Sequence, residues 1–133
     1  VPAYAHGARE DAGVDLAFCG EARVVLEPGV RRLLPTGLAI ELPPGFEGQV
    51  RPRSGLALKK GITVLNAPGT IDPGYRGEVA VILINLSNEP QTIEPGERIA
   101  QLIVAPYAEV RFAESDALAA SQRSTGGFGS TGA

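Results

Sequence analysis

Apolar and polar positions along this chain alternate in short bursts, and none of the bursts is long enough to build an extended amphipathic helix. Stretches of strand character run over Arg23–Leu26, Val30–Leu34, Leu38–Leu42, Gly48–Arg51, Ile62–Leu65, Val79–Leu86, Gln91–Ile93, Ile99–Val104 and Val110–Phe112. Pro-Gly pairs at 28–29, 44–45, 68–69, 73–74 and 95–96 punctuate them, each a turn signal because Pro presets its φ and Gly accepts φ > 0. Only Ser54–Lys60 reads as a helical turn or two, with Gly61 as its stop. Many short strands with turns between them predict an all-β barrel or sandwich and argue against a parallel α/β sheet. One run breaks the alternation: Val79 to Ile84 is apolar at every position, so both of its faces must be covered, by a second sheet or by identical subunits.

Composition narrows this picture. The 133 residues include 17 Gly and 11 Pro, which would spoil long helices, yet 44% are apolar and 20% charged, an ordinary globular balance. A chain of this length builds one core and buries roughly two thirds of its unfolded surface. No apolar run approaches the ~18 residues of a membrane-spanning helix, and no basic-then-apolar secretory signal opens the chain. Its start at Val1, with no Met anywhere, leads us to expect that a short leader or initiator residue has been removed. The lone Cys19 suits a reducing cytoplasm and excludes an internal disulfide. With His6 as the only His, zinc sites and His-dependent hydrolase triads are disfavoured, which leaves carboxylates for acid/base work. Net charge is −3 and the 12 Lys and Arg are scattered, so no nucleic-acid surface is expected. A polyanionic ligand would need a local basic cluster.

Four features could carry chemistry. Asn66–Gly77 sets Asp72 between two Pro-Gly turns, beside Tyr75 and Arg76; an Asp there is either an Asx-type turn residue or a carboxylate on a rigid mount. In Arg51-Pro52-Arg53-Ser54-Gly55-Leu56, a Ser hydroxyl, the first N–H groups of a helix and adjacent Arg side chains could hold an anion, or Ser54 could be a plain N-cap between solvated arginines. Gln101 interrupts an apolar strand and either faces outward or serves a site. From Ala113 the chain is rich in Ala and Ser, and then in Gly, Ser and Thr, which reads as a flexible arm carrying Arg123 and Phe128. Gly127–Gly132 fits G-x-G-x-x-G, but only Ala133 follows, so a dinucleotide-binding loop is excluded.

Taken together, the residues resemble the trimeric deoxyuridine triphosphatase (dUTPase) family over nearly the whole chain. Five motifs stand in family order: Ala12–Leu16, Pro52–Ala57, Asn66–Gly77, Glu97–Gln101 and Arg123–Gly132. Two positions depart from the family pattern: Val14, where an aromatic is common, and Ser124, where Gly usually follows the Arg. The resemblance implies an all-β, distorted jelly-roll-like β-barrel of many short strands, with one short helix and a flexible Gly-rich C-terminal arm. Residues 1–112 would form the barrel, and 113–133 the arm of the same domain.

It also implies a cytoplasmic enzyme that hydrolyses dUTP to dUMP and pyrophosphate, lowering dUTP and supplying dUMP for dTMP synthesis. Asp72 would be the general base that aligns a water for in-line attack on the α-phosphorus. Tyr75 would lie under the deoxyribose and leave no space for a 2′-hydroxyl. Asn66 and the main chain of Thr70, Ile71, Asp72 and Ala80 would read the uracil edge. Arg53, Ser54, Gly55 and Gln101 would hold phosphates, Arg123 would pair with the γ-phosphate, and Phe128 would stack on the base. Mg2+ would be carried mainly by the phosphates and water, with Asp15 reaching it through a water. The family's homotrimers share their sites between subunits. A dCTP deaminase-like enzyme is disfavoured, because its catalytic Glu falls at Ile82 here. A non-catalytic nucleotide-binding β module would be expected to lack Asp72, Tyr75 or Arg123, and all three are present.

Overall fold

A computed structural model describes residues 1–132; Ala133, the last residue of the expected arm, lies outside the described residues. The elements run in the order β1 (Val14–Ala17), β2 (Val24–Leu26), β3 (Arg31–Ala39), β4 (Phe46–Arg51), α1 (Ser54–Lys60), β5 (Ile62–Val64), β6 (Gly69–Ile71), β7 (Glu78–Asn85), β8 (Gln91–Ile93) and β9 (Arg98–Pro106). Every strand pair is antiparallel. The strands form three sheets, ordered β1-β9-β4-β6, β2-β8 and β3-β7-β5. The all-β class with a single short helix is as expected from the turn density, but the ladders do not join into one closed barrel. Pro-Gly pairs at 28–29, 44–45 and 95–96 are tight connections, and their Gly residues take φ of 77°, 89° and 82°. Gly61 ends α1 at φ 65°, donating its N–H to Ala57 and Leu56 carbonyls.

Four expectations need correction. Strand β1 was not foreseen, because four residues centred on Asp15 carry too little alternation. The Pro68–Gly69 pair is not a simple turn: Gly69 belongs to β6 and pairs with Val50, where a Cβ would sit 3.2 Å from Asn66 Nδ2 and 3.4 Å from Val50 Cβ. Segments expected as two strands, 30–34 and 38–42, are one strand β3 interrupted by a register shift between Pro35 and Leu38. Val110–Phe112 forms no strand; from Tyr107 to Thr125 every residue is exposed.

Strand β7 organises the core. Its odd residues Val79, Val81, Leu83 and Asn85 are buried and its even residues Ala80, Ile82 and Ile84 are only half-buried. The run expected to be covered on both faces is therefore fully covered on one face within a single chain. Beside Ile82 on the second face lies its ladder partner Leu33, 65% exposed. On the buried face, Leu83 packs into a cluster with Leu16, Leu26, Leu34, Ile62, Ile93 and Ile99.

Asn85 is fully buried and fully bonded. Its Nδ2 donates to the carbonyls of Leu26 (2.9 Å) and Glu89 (2.7 Å), while Oδ1 accepts from Ser87 N (2.9 Å) and Ser87 Oγ (2.7 Å). One side chain thus ties the end of β7 to β2 and to the turn that leads into β8. Replacing it strands the carbonyl of buried Leu26 and leaves a cavity, so Asn85→Ala should cost about 2–4 kcal/mol, seen as a lower denaturant midpoint; an unchanged midpoint would contradict this role.

Candidate active site

The segment from β5 to β7 builds a slot of about 170 Å3 lined by Val50, Asn66, Gly69, Thr70, Ile71, Asp72, Tyr75, Glu78, Val79 and Ala80. Six of the residues singled out from the sequence (Asn66, Thr70, Ile71, Asp72, Tyr75 and Ala80) thus converge on one cavity. Its donors and acceptors follow from strand parity. The last rung between the β5 side and β7 is Leu65 N–H to the Ile82 carbonyl, 2.9 Å. Two residues back on the same edge, the N–H and C=O of Ala80 face the slot, because β5 has ended and Pro35, opposite Ala80 on β3, gives its own carbonyl to Cys19 N–H (2.9 Å). A flat heterocycle can take the place of the missing strand there.

Asp72 starts a β-turn closed by Tyr75 N–H to the Asp72 carbonyl, 3.1 Å. Arg76 braces the turn, donating to the carbonyls of Pro73 (2.6 Å) and Tyr75 (3.1 Å) and pairing with Glu41 (3.3 Å), so it is a clamp and not a free cation. The Tyr75 hydroxyl donates to the Glu78 carbonyl at 2.8 Å. Its ring lies over Gly77, where a Cβ would meet the hydroxyl at 2.5 Å. A larger hollow of about 650 Å3 between Leu42–Pro44 and Pro73–Gly74 contains none of the expected site residues.

A second cavity, about 580 Å3, lies where β4, α1 and β9 meet and is lined by Arg51, Arg53, Ser54 and Gln101 among others. Arg53 in extended conformation is the N-cap residue of α1, and no side chain caps the helix. The reading of Ser54 as N-cap is thereby corrected: Ser54 is the first helical residue. Gln101 is half-buried and donates Nε2 to the Pro52 carbonyl (3.0 Å), and its Oε1 approaches Gly13 so closely that a Cβ there would lie 3.0 Å away. Lys60 bonds the Thr92 carbonyl (2.8 Å) and Glu97 (2.9 Å), which locks α1 to the turn before β9. A third hollow, about 410 Å3, contains Arg53 and Gly55 with Lys59, Lys60 and Arg98.

Asp15 sits opposite Gln101 in the β1–β9 ladder. Its two oxygens accept from Arg53 Nε (2.9 Å) and Arg98 Nη1 (3.2 Å). Only Nε of Arg53 is so engaged, leaving its terminal fork for an anion. Among the described residues, no three carboxylate, His or Cys groups converge as a metal cage. Both Asp15 oxygens are already taken by guanidiniums, so Asp15 offers a cation at most a contact through water, with its remaining ligands supplied from elsewhere.

The structure does not bring everything together. Val50 lines the slot while its neighbours Gln49 and Arg51 line the second cavity, so the two flank β4 from opposite faces and share no lining residue. Arg123 and Phe128 lie on the exposed arm, where, among the described residues, Arg123 donates only to Gly126 O (2.6 Å). Both Ser124 and Phe128 adopt left-handed φ, 49° and 51°. Residues that sequence reasoning passed over are Val50, Gly69, Glu78 and Val79 in the slot and Arg98 beside Asp15. Arg98 lies inside a quoted motif, and an ion pair across 83 residues leaves no local signal.

A slot bordered by unpaired main-chain groups beside a guanidinium-lined cavity is an arrangement able to take a flat heterocycle and an anion, on an all-β scaffold. The sequence matches the dUTPase family over residues 1–132, and the chain belongs to that family. A deoxyuridine 5'-triphosphate nucleotidohydrolase of Solibacter usitatus (strain Ellin6076) is 61% identical over 132 residues, covering 99% of this chain and 88% of the relative. One of the same name from Hydrogenobaculum sp. (strain Y04AAS1) is 60% identical over 121 residues, 91% of this chain and 83% of the relative. A mutant dUTPase of Staphylococcus bacteriophage 80alpha, solved with dUpNHpp, superposes with a TM-score of 0.87 at 28% identity, covering 100% of this chain and 92% of that one. A mutant dUTPase from phage phi11 of S. aureus, described for its coordination of a structural Mg(II) ion, shares the fold with a TM-score of 0.75 at 24% identity, over 88% of this chain and 90% of that one.

Because only the far end of a side chain contests the space at Gly77, Gly77→Ala should unseat the Tyr75 ring and break its bond to the Glu78 carbonyl. Stability should change by only about 0.5 kcal/mol. A crystal structure of the variant with Tyr75 still over residue 77 would refute this.

Proposed function

We propose that the chain hydrolyses dUTP to dUMP and pyrophosphate by in-line attack of a water on the α-phosphorus. The observation that carries this reading is the slot, which presents main-chain groups of Ala80 off a strand edge with Asp72 and Tyr75 among its lining residues. Asn66, Thr70, Ile71 and Ala80 read the uracil edge; a narrow slot rejects the thymine methyl by contact, and fixed donors and acceptors reject cytosine by leaving buried polar groups unpaired. Asp72, mounted on a closed turn, orients the water as general base. The Tyr75 ring lies under the deoxyribose. Arg53, Ser54, Gly55 and Gln101 take the phosphates. Mg2+, held through water by Asp15, would neutralise part of the triphosphate charge when bound.

The active assembly is a homotrimer in which the slot of one copy faces the arginine cavity of another. Two features support shared sites: the separation of slot and cavity across β4, and the apolar second face of β7 with Leu33 beside it. Residues 113–133 act as an arm that reaches a neighbour's site, bringing Arg123 to the γ-phosphate and Phe128 onto the uracil. Deamination does not fit, since Ile82 is outside the slot and carries no acid or base. We place the enzyme in the cytoplasm, in keeping with the single exposed Cys19.

With Mg2+, pyrophosphate should be released from dUTP in preference to dCTP, dTTP and UTP, and no ammonia from any; ammonia from dCTP would overturn the assignment. Asp72→Asn should nearly abolish turnover while nucleotide affinity by calorimetry stays within about tenfold. Removing residues from Gln122 onward should cut activity severely while light scattering still reports a trimer; a fully active truncation would remove the arm from the mechanism.

A further inference from the structure

We propose that Thr36 and Glu78 are positioning residues that set the height of the nucleobase slot and the seat of Tyr75, through the bulge that interrupts the β3–β7 ladder. This rests on the reading of the slot as the uracil site. The ladder runs in register up to Pro35 opposite Ala80 and resumes at Leu38 opposite Val79, so Thr36 and Gly37 are extra residues on β3. At such a break, ladder hydrogen bonds no longer fix where the partner strand sits. Here side chains replace them. Thr36, 8% exposed, donates its hydroxyl to the Val79 carbonyl. Gly37, at φ 72°, donates its N–H to Glu78 Oε1 at 2.8 Å.

The far side of the bulge is held as well. The Pro35 carbonyl accepts from Cys19 N, and Cys19 Sγ lies 3.0 Å from where a Cβ on Gly37 would stand. From the slot side, the Tyr75 hydroxyl donates to the Glu78 carbonyl. The two residues immediately before Ala80 are therefore gripped at one side chain and two carbonyls. A methyl group is excluded from a slot by a contact distance, so a shift of a few tenths of an ångström in Ala80 changes which base fits. Thr36 acts on the base edge through Val79. Glu78 acts on the sugar through Tyr75.

The test compares KM, kcat and the kcat/KM ratios for dUTP, dTTP and UTP in wild type, Thr36→Val, Thr36→Ser, Glu78→Ala and Glu78→Gln. Thr36→Val should raise KM for dUTP about tenfold with less change in kcat, and narrow the dUTP:dTTP ratio about tenfold; Thr36→Ser should restore both. Glu78 is exposed, so Glu78→Ala folds normally; it should narrow the dUTP:UTP ratio several-fold, and Glu78→Gln, which keeps an acceptor for Gly37 N–H, should restore it. Unchanged ratios in Thr36→Val and Glu78→Ala, or an equal loss of kcat on all three nucleotides, would overturn the proposal while leaving the uracil site in place. A wild-type enzyme with no preference for dUTP would overturn the slot reading itself.

Discussion

The two-residue period of β7 is the constraint on which the rest of this structure depends. Turned one way, Val79, Val81 and Leu83 close the core, and Asn85 collects the loose carbonyls of β2 and of the turn before β8. Turned the other way, Ile82 and Ile84 form a second apolar face, and the main chain at Ala80 runs past the end of β5 into the slot. A slip of one residue would bury Ile82 and Ile84, expose Leu83 and swing Asn85 into water. Core, second apolar face and slot edge are thus one decision about register. The Asn85 network holds that decision at one end of the strand and the Thr36–Glu78 bulge at the other.

Strand β4 applies the same period to a different end. Val50 belongs to the slot, and Gln49 and Arg51 to the second cavity, so on the proposed reading the pleat puts base recognition and charge recognition on opposite sides of one strand. On that reading a single copy of the chain holds each half-site in good order, and a second copy brings the two halves to one ligand. Asp15, pinned by Arg53 and Arg98, and Lys60, pinning α1 to the turn before β9, brace the surroundings of the second cavity. The proposed arm, by contrast, is almost wholly exposed along its described residues.

Much of this was legible in the residues. Turn chemistry and short alternating runs located seven of the strands to within a few positions, and Ser54–Lys60 emerged as the helix, since local propensity governs such elements. The hairpin residues Asn66, Asp72 and Tyr75 converge as their spacing suggested. What was not legible depends on partners distant in the chain. β1 exists because β9 pairs with it, and β6 because Gly69 can lie close against Val50. Val110–Phe112 had strand composition and found no ladder to join. Arg98 and Thr36 matter through contacts 83 and 43 residues away, which no local pattern encodes.

The Ala80 edge has a further consequence. A base read by peptide groups is read by atoms that every amino acid but proline supplies, so the identity of the side chain at that position carries little of the recognition. Drift at Ala80, Thr70 or Ile71 among relatives can leave substrate choice intact, provided the strand keeps its path. Conversely, two chains with identical slot residues can differ in what they accept if the bulge opposite has changed. On the proposed reading, selectivity is inherited through backbone shape and guarded by Thr36 on the neighbouring strand and by Glu78 within the slot lining itself.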